Sequence, residues 1–412
     1  MSARKVYYLL SGVRAFLMYI VFTVSAIYFI KEAGLDPLQL VLVGTVMEIS
    51  IMLFEIPTGF IADHLSRKWS VIIGMFIVGA AHLLEGFYPE FWAIICAYAL
   101  WGLGYTFFSG AEEAWIADEV KSEGLQKLFF KGSQFSSLGC FAGIFVSVAL
   151  SFLFSVQIAI LLSGGAFILF GIWLIFYMPE HHFVKLERTE ASHVRQFASV
   201  ITKGYKTVRS SAILFSMAGI SLMWGLASEG FDRLWEVHLI NNLKLTEDSA
   251  VFWFGVINAV AFILHIGLVQ WIQRKGEGLG ERLFIWLLGA INGLLVISMI
   301  AFALAGEFWL AIATYWACAI LRGLNHPLYT IWLNQKLESK GRATMLSLFG
   351  HFDAVGQIAG GPLVGFIALS SVSMGLVVTS LLTIPVLFLL WVAKRHLHAG
   401  EKITVPADQS AG

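Results

Sequence analysis

Twelve apolar stretches of membrane-spanning length run along the 412-residue chain, and this repetition restricts its fold more than any single motif does. A spanning helix needs roughly 20 mostly apolar residues. Such stretches lie near residues 6–30, 38–60, 70–88, 92–116, 129–153, 156–178, 211–240, 249–272, 283–305, 308–332, 343–367 and 370–393. Only helices and closed barrels satisfy their backbone hydrogen bonds in lipid, and these stretches are too long for barrel strands. The sequence therefore predicts an all-α polytopic membrane protein with twelve transmembrane helices.

The distribution of positive charge predicts the orientation of these helices. Of the 27 Lys and Arg residues, 22 fall in segments on the same side as the N-terminus, whereas Lys31 and Lys244 fall in loops on the other side. Arg14, Arg233 and Arg322 lie within the apolar stretches. Because loops rich in Lys and Arg face the cytoplasm, both termini are predicted to be cytoplasmic. The formal net charge of zero does not favour a nucleic-acid partner.

The sequence lacks the motifs of cofactor-dependent membrane proteins. Cys96, Cys140 and Cys318 are isolated within predicted helices, so they form neither a disulfide framework nor a metal-ligand spacing. The chain has no G-x-x-x-x-G-K loop followed by Ser or Thr for ATP phosphates, and no H-E-x-x-H pair for zinc. We therefore expect no metal, no cofactor and no enzymatic activity.

A long polar segment near residues 179–210 divides the predicted helices six and six. It predicts an N-terminal six-helix bundle at 1–180, a cytoplasmic linker at 181–210, a C-terminal six-helix bundle at 211–396 and a cytoplasmic tail at 397–412. The linker carries six Lys and Arg residues. These charges fit either contact with anionic membrane lipid or a solvated tether.

Glycine motifs repeat between the two halves. Gly139-x-x-x-Gly143 lies in predicted helix 5, and Gly356-x-x-x-Gly360 lies in predicted helix 11, the equivalent position of the second half. Two related six-helix halves are a recurring plan of secondary transporters, which bind substrate near the membrane midplane between the halves. The repeat therefore favours a transporter built from two pseudo-symmetric bundles.

Four carboxylates and one arginine lie in the predicted helices of the first half: Glu48, Glu55, Glu112, Glu113 and Arg14. A charge at the bilayer centre costs at least about 2.5–3.5 kcal/mol, so such a group pairs, faces water or exchanges a proton. Arg14 can neutralise one carboxylate while another titrates, because carboxylates that share a cation titrate as a set. The group therefore predicts either a proton-coupling site or a static ion-pair network that holds helices 1, 2 and 4 together.

The second half carries its own charges. Arg322 in helix 10 and Asp353 in helix 11 lie at equal depth, each roughly 15 Å from its helix end. This predicts an ion pair with a structural role, and contact with the substrate is the alternative. His326, one turn from Arg322, is predicted to be a hydrogen-bonded packing residue, with a proton relay as the alternative. Helix 7 ends with Glu229, Asp232, Arg233 and Glu236. The spacing of Glu229 and Arg233 favours an ion pair within the helix, and the cluster predicts either an outer gate or a solvated helix end.

A charged loop follows predicted helix 2, with the sequence Gly59-Phe-Ile-Ala-Asp63-His-Leu-Ser66-Arg67-Lys68. Gly59, Asp63, Arg67 and Lys68 resemble the signature that the major facilitator superfamily places between helices 2 and 3, and Ser66 stands where a glycine is usual. The preceding Glu55-Ile-Pro57, together with Glu48, resembles the variant signature of TetA(P)-type tetracycline efflux proteins, which also carry two acidic residues in helix 2.

The resemblance implies roles for particular residues. The loop would latch the two bundles together, with Asp118 at the end of helix 4 as the partner of Arg67. Asp63 is expected near the N-terminus of helix 3, where the helix dipole favours negative charge. The family usually has an arginine in helix 4 near the position of Trp101, and Arg14 could replace it.

The resemblance also implies a central cavity lined by helices 1, 4, 7 and 10. The aromatic candidates for its lining are Tyr19, Phe22, Tyr105, Phe108, Trp224 and Tyr315. Each of these could instead pack against lipid or neighbouring helices.

The function that this resemblance favours is proton-coupled export of a drug-like or amphipathic small molecule, with tetracyclines as an example. Proton-linked uptake of a metabolite and flipping of a lipid or lysolipid are the alternatives. The expected partners are the substrate, protons and membrane lipid, and the protein is expected to be a monomer in a bacterial inner membrane.

The charged loop leads to a prediction about Asp63. We expect Asp63→Asn to abolish transport, because the substitution removes the negative charge on which the latch depends, while leaving the amount of protein in the membrane unchanged. Transport assays paired with immunoblots of membrane fractions measure both quantities. Normal transport by this variant would exclude the latch.

Overall fold

The computed structural model of the chain describes residues 1–121, 124–185, 204–275, 281–337 and 342–396. The side chains of residues 247–248, 265–266, 269–275 and 342–344 are outside this description. Residues 186–203 of the predicted linker, and all of the predicted tail, lie outside the described residues.

Long helices occupy all twelve predicted stretches. They are α1 (Ala3–Glu32), α2 (Pro37–His64), α3 (Arg67–Phe87), α4 (Phe91–Glu119), α5 (Leu125–Leu153), α6 (Val156–Tyr177), α7 (Ala212–Asn242), α8 (Glu247–Lys275), α9 (Glu281–Ala303), α10 (Phe308–Lys336), α11 (Arg342–Ala368) and α12 (Val372–His396). A short helix over residues 204–210 precedes α7. Among the described residues, nine of the long helices are both long and apolar enough to cross a membrane, and the predicted all-α polytopic fold is confirmed.

The chain forms two compact units. The first unit contains Met1–Arg188 and Glu236–Val260, and the second contains Thr189–Trp235 and Ala261–Gly412. Each unit has its own apolar core. Buried residues of the first core include Val71, Met75, Val78, Trp115 and Phe167. Buried residues of the second core include Leu214, Met217, Phe284, Trp332 and Leu390.

Glycines bring α1 and α5 into backbone contact within the first unit. A Cβ atom at Gly139 would lie 2.1 Å from the carbonyl oxygen of Gly12, and one at Gly143 would lie 2.5 Å from that of Phe16. In the same contact, the hydroxyl of Ser147 donates to the carbonyl oxygen of Ile20 at 2.6 Å. Small residues and inter-helix hydrogen bonds are what drive helix association in lipid, where apolar burial offers little advantage.

The second unit repeats this contact between α7 and α11. A Cβ atom at Gly356 would lie 2.3 Å from the carbonyl oxygen of Leu222, and one at Gly360 would lie 2.1 Å from that of Leu226. The glycine motifs that recur in the sequence therefore mark equivalent helix contacts in the two units.

The ends of α1 and α7 show a further repeat. Each helix ends in a wider π-helical turn, Tyr28–Glu32 in α1 and His238–Asn242 in α7. A residue with positive φ follows each turn, at Gly34 (64°) and at Lys244 (56°). Left-handed residues of this kind commonly terminate helices, so both helices stop by the same backbone device although their sequences differ.

The α1–α5 contact leads to a stability prediction for Gly139→Ala. The added methyl group would overlap the backbone of Gly12, so we expect a loss of about 3 kcal/mol in the free energy of unfolding, at the upper end of usual overpacking costs. Thermal unfolding of the purified protein in detergent measures the change. Gly165→Ala is the matched control, because no atom lies within 4 Å of a Cβ there. An unchanged melting temperature for Gly139→Ala would contradict the close contact.

Candidate functional site

Helix α4 is broken near Gly110. Its first segment ends at Phe108 and its second runs over Ala111–Glu119, with φ of +75° at Gly110 between them. The prediction of one continuous helix over 92–116 is therefore wrong at this point, because glycine adopts positive φ at little cost. The last carbonyl groups of the first segment need partners outside the helix, and the Thr58 hydroxyl on α2 lies 3.1 Å from the carbonyl oxygen of Thr106.

The break places Glu112 and Glu113 in the first turn of a new helical segment, where negative charge is favoured by the helix dipole. Glu112 is buried, and its carboxylate forms an ion pair with Arg14 of α1. The Ser11 hydroxyl donates to the same carboxylate at 3.2 Å. Arg14 therefore neutralises one of the four carboxylates, and the structure identifies it as Glu112.

A row of aromatic rings leads to this ion pair from α1 and α4. We call it the aromatic ladder and define it as Tyr19, Phe22, Trp101, Tyr105 and Phe108. Successive ring centroids are 5.4–6.4 Å apart. At the end of the ladder, the guanidinium carbon of Arg14 lies 4.8 Å from the centroid of Phe108. Phe22 and Tyr105 are each 36% exposed, so the ladder presents part of its surface.

The ladder unites four of the predicted cavity residues and adds one that sequence reasoning missed. Trp101 stacks on Tyr105. The sequence analysis named Trp101 only as the position where the family usually has an arginine, and did not predict it as a cavity residue. Its spacing of four from Tyr105 was the available signal, because residues four apart lie on one helix face.

The other predicted proton-coupling residues differ in burial. Glu48 is half-buried on α2, whereas Glu55 on α2 and Glu113 on α4 are exposed. Within the described part of the chain, neither Glu55 nor Glu113 has an ion-pair partner. Of the four candidate carboxylates, Glu112 is therefore neutralised by Arg14, whereas Glu55 and Glu113 are exposed and have no cation among the described residues.

The charged loop is shorter than predicted. Helix α2 ends at His64 and α3 begins at Arg67, so Asp63 lies in the last turn of α2 and not near the N-terminus of α3. The dipole at that helix end disfavours a carboxylate. The Arg67 guanidinium, 3.4 Å from the Asp63 carboxylate, supplies the positive charge instead.

Arg67 links the loop to α4. It forms an ion pair with Asp118, the partner predicted from sequence, and it donates to the carbonyl oxygen of Ala114 at 2.9 Å. Gly59, the first signature residue, has open space around the position of a Cβ atom. Close packing therefore does not explain the glycine at this position.

Ser66 caps α3 in an extended conformation that any residue adopts, with φ of −175°. Its oxygen accepts from the Trp69 amide at 3.0 Å and donates to the Glu180 carboxylate at 2.6 Å. Glu180 also accepts from the Lys68 amide at 2.8 Å. Glu180 thus provides the negative charge at the start of α3 that sequence reasoning assigned to Asp63, and serine fits the turn without strain.

The segment after α6 is tied to the end of α4. The Trp115 indole donates to the carbonyl oxygen of Pro179 at 2.6 Å. The Glu119 carboxylate accepts from the amides of His181 and His182 at 2.6 and 2.9 Å. We use the name loop cluster for Asp63, Ser66, Arg67, Lys68, Asp118 and Glu180.

In the second unit, the predicted pair of Arg322 and Asp353 is wrong. The two terminal nitrogens of Arg322 donate hydrogen bonds to the two carboxylate oxygens of Asp232 on α7, at 2.5 and 2.8 Å. The Arg322 guanidinium also lies 5.1 Å from the ring centroid of Phe231. The Asp353 carboxylate accepts from Gln357 at 2.7 Å. Asp232 presents both oxygens to the guanidinium, and this two-point geometry is the strongest that an arginine and a carboxylate form.

The remaining predictions for the second unit have mixed outcomes. Arg233 and Glu229 approach to 3.5 Å within α7, and Glu229 is buried, which is inconsistent with a simple solvated helix end. His326 is exposed, so it is not the packed residue that was predicted. Trp224 donates to Asn292 at 2.9 Å, and Tyr315 is buried. Both aromatic residues are thus engaged inside their own unit.

The sequence profile described as Major Facilitator Superfamily matches residues 7–349. An uncharacterized MFS-type transporter, YxaM of Bacillus subtilis (strain 168), is 26% identical over 396 residues, which cover 93% of this chain and 94% of YxaM.

Solved structures share the fold. A bacterial homologue of the human lysosomal transporter Spinster, inward-facing and unoccupied, has a TM-score of 0.77 at 14% identity and covers 98% of this chain and 99% of its own. The nucleoside transporter NupG has a TM-score of 0.75 at 13% identity, covering 95% and 99%. At these identities the similarity establishes the fold and leaves the substrate open.

The Arg14–Glu112 pair leads to a prediction that separates charge from packing. We expect Arg14→Gln to lower stability by about 3–5 kcal/mol, because it leaves the buried Glu112 carboxylate without its partner. Glu112→Gln should cost less, because the Arg14 that it leaves unpaired is only half-buried. The double variant should recover most of the loss, since neither charge remains. Thermal unfolding of the three variants measures this. A double variant as unstable as the sum of the single variants would exclude a coupled pair.

Proposed function

Because the chain belongs to the Major Facilitator Superfamily, we propose that this multi-pass membrane protein is a proton-coupled transporter that exports an amphipathic organic molecule. The family and the MFS-type transporter YxaM among its relatives indicate a transporter and not an enzyme. The observation that carries the finer proposal is the aromatic ladder that ends at the Arg14–Glu112 ion pair.

The ladder supports a substrate with an apolar, ring-like part and a polar end. Aromatic faces offer a large apolar contact area at low cost in side-chain entropy. Phe22 and Tyr105 expose part of their surface, whereas Arg14 and Glu112 provide hydrogen-bonding groups at one end. Binding sites for organic ligands usually combine a mainly apolar lining with a few placed polar groups. Tetracycline-type compounds have this character and belong in a test panel.

The unpaired carboxylates support proton coupling. A carboxylate at membrane depth without a cation must contact water or bind a proton. Glu55 and Glu113 are exposed and, among the described residues, have no ion-pair partner, while Arg14 is already engaged by Glu112. A carrier that takes up a proton on one side and releases it on the other needs such a group, and Glu48 remains a candidate beside them.

The loop cluster supports a gating role within this proposal. Arg67 connects the end of α2 to Asp118 of α4, and Glu180 fixes the start of α3 to the segment after α6. Arg67 therefore links α2, which carries Glu48 and Glu55, to α4, which carries Glu113 and part of the ladder. Breaking the Arg67–Asp118 ion pair would free α2 to move relative to α4, and a gate needs such a contact that can form and break.

The same geometry also fits two alternative functions, uptake of a metabolite and flipping of a lipid. Proton-linked uptake of a metabolite uses identical coupling, because the imposed gradients determine the net direction of a reversible carrier. A lipid or lysolipid has the apolar and polar parts that the ladder favours. The proposed export of a drug-like molecule is distinguished from both by the compound that moves and by its direction.

The test is transport by purified protein in sealed vesicles under an imposed pH gradient. The compound panel contains a tetracycline, amphipathic dyes, a nucleoside and a fluorescent lysophospholipid. We expect an amphipathic organic compound to be driven against its own gradient, and an uncoupler to abolish this movement. If no compound in the panel responds to the pH gradient, proton-coupled transport of this class is excluded.

The carboxylates lead to a prediction about coupling. The three variants are Glu48→Gln, Glu55→Gln and Glu113→Gln. We expect the variant at the proton-carrying residue to lose uphill transport to background level. The same variant should still exchange labelled for unlabelled substrate. Exchange persists because it needs no net proton movement. Glu90→Gln is the matched control, since Glu90 is an exposed glutamate at the N-terminal end of α4, preceding the ladder. Full uphill transport by all three variants would show that these carboxylates do not carry the proton.

A further inference from the structure

Two cations lie on tryptophan rings where α9 begins and α12 ends. The Lys394 ammonium is 4.0 Å from the ring centroid of Trp286, and the Arg395 guanidinium carbon is 3.6 Å from that of Trp391. The contact between Lys394 and Trp286 joins the two helices. We call this surface the basic corner and define it as Arg282, Trp286, Trp391, Lys394 and Arg395.

The basic corner lies beside an exposed apolar surface. Trp286 is 59% exposed and Trp391 is 45% exposed. The exposed surface continues along α12 with Phe388, which stacks on Trp391 at 5.8 Å, and along α9 with Leu294. On membrane-spanning helices, an exposed apolar surface faces lipid tails, and Trp residues collect where tails meet headgroups. The cations of the corner therefore lie at headgroup depth.

Among the described residues, no carboxylate is available to the cations of the corner. Glu281, which precedes Arg282, already accepts from Lys336 at 2.6 Å and from the Trp332 indole at 3.0 Å. Within the described residues, no carboxylate pairs with Arg282, Lys394 or Arg395. Arg282 lies one helical turn before Trp286, the ring that Lys394 contacts, so it shares a helix face with that ring. Three positive groups therefore flank the exposed tryptophan rings without a counter-ion from the described chain.

The equivalent helices of the first unit, α3 and α6, place protein partners beside their cations. At the start of α3, Arg67 pairs with Asp118, and Lys68 donates to the carbonyl oxygen of Ile175 at 2.9 Å. Glu180, just after α6, adds a carboxylate to the same place. At these matching helix ends, the cations of the first unit therefore have protein partners, whereas those of the basic corner have no ion-pair partner among the described residues.

We propose that the basic corner binds the headgroup of an anionic phospholipid. The lipid phosphate accepts hydrogen bonds from Lys394, Arg395 and Arg282, and its tails lie against Trp286, Trp391 and Phe388. The tryptophan rings hold the two α12 cations in place, which lowers the entropy cost of binding. A zwitterionic lipid brings its own cation and gains less from three positive groups. This site depends on the membrane placement of the chain and is independent of what the protein transports.

Lipid titrations followed by native mass spectrometry test the proposal with the full-length protein in detergent. The probes are phosphatidylglycerol and phosphatidylcholine with the same acyl chains. We expect preferential binding of phosphatidylglycerol to the wild type. Lys394→Gln combined with Arg395→Gln should weaken phosphatidylglycerol binding by about 25-fold, at roughly five-fold per charge, and leave phosphatidylcholine binding unchanged.

The control removes two cations elsewhere. Lys127 and Lys131 of α5 are exposed, and the combined Lys127→Gln and Lys131→Gln variant should bind phosphatidylglycerol within about two-fold of the wild type if the corner is the site. Arg282→Gln provides a single substitution on α9 that avoids the end of α12, with an expected loss of about five-fold. Thermal unfolding confirms that each variant is folded, and Arg282→Gln decides the outcome if the double variant is not.

Four results would overturn the proposal. The first is equal binding of the two lipids by the wild type. The second is an unchanged preference for phosphatidylglycerol in the folded corner variants. The third is an equal loss of phosphatidylglycerol binding in the α5 control. The fourth is displacement of phosphatidylglycerol by inorganic phosphate at matched concentration, which would identify a site for a free anion and not for a lipid.

Discussion

The ion pair between Arg14 and Glu112 is the interaction on which the first unit depends. Neither charge would be tolerated singly at this depth, because an isolated ion in lipid costs several kcal/mol. The pair forms because α4 breaks at Gly110 and restarts with Glu112 in its first turn, where the helix dipole favours a carboxylate. With Arg14 engaged, Glu55 and Glu113 are left without a cation among the described residues, and Arg14 also closes one end of the aromatic ladder.

The two sets of six helices share a backbone plan and differ in the sign of the charge that each helix carries. Glycines bring α1 onto α5 and α7 onto α11, and a π-helical turn ends both α1 and α7. Both sets join their first helix to their fourth by an ion pair. In the first set α1 carries Arg14 and α4 carries Glu112, whereas in the second set α7 carries Asp232 and α10 carries Arg322. Backbone contact thus accounts for the common fold, while side-chain charge distinguishes the chemistry of each unit.

Sequence reasoning succeeded where a residue's partner is near in sequence or implied by the family signature. The pairs Glu229–Arg233 and Arg67–Asp118 are examples, the first through helical spacing and the second through the resemblance of the loop. It failed for Arg322, because equal depth on neighbouring helices does not determine which of two carboxylates the guanidinium faces. It also missed Glu180, whose role at the start of α3 depends on how the end of α6 packs.

The sequence by itself determined the class of the protein and the positions of its twelve helices, because apolar length is a local property that lipid enforces on each segment separately. It also determined the glycine positions at which helices approach, since only residues without side chains permit that contact. The tertiary structure decided the break in α4, the choice of Glu112 over the other carboxylates and the stacking of Trp101 into the ladder. Each of these depends on distances between helices, and such distances arise only when all the helices of a unit pack together.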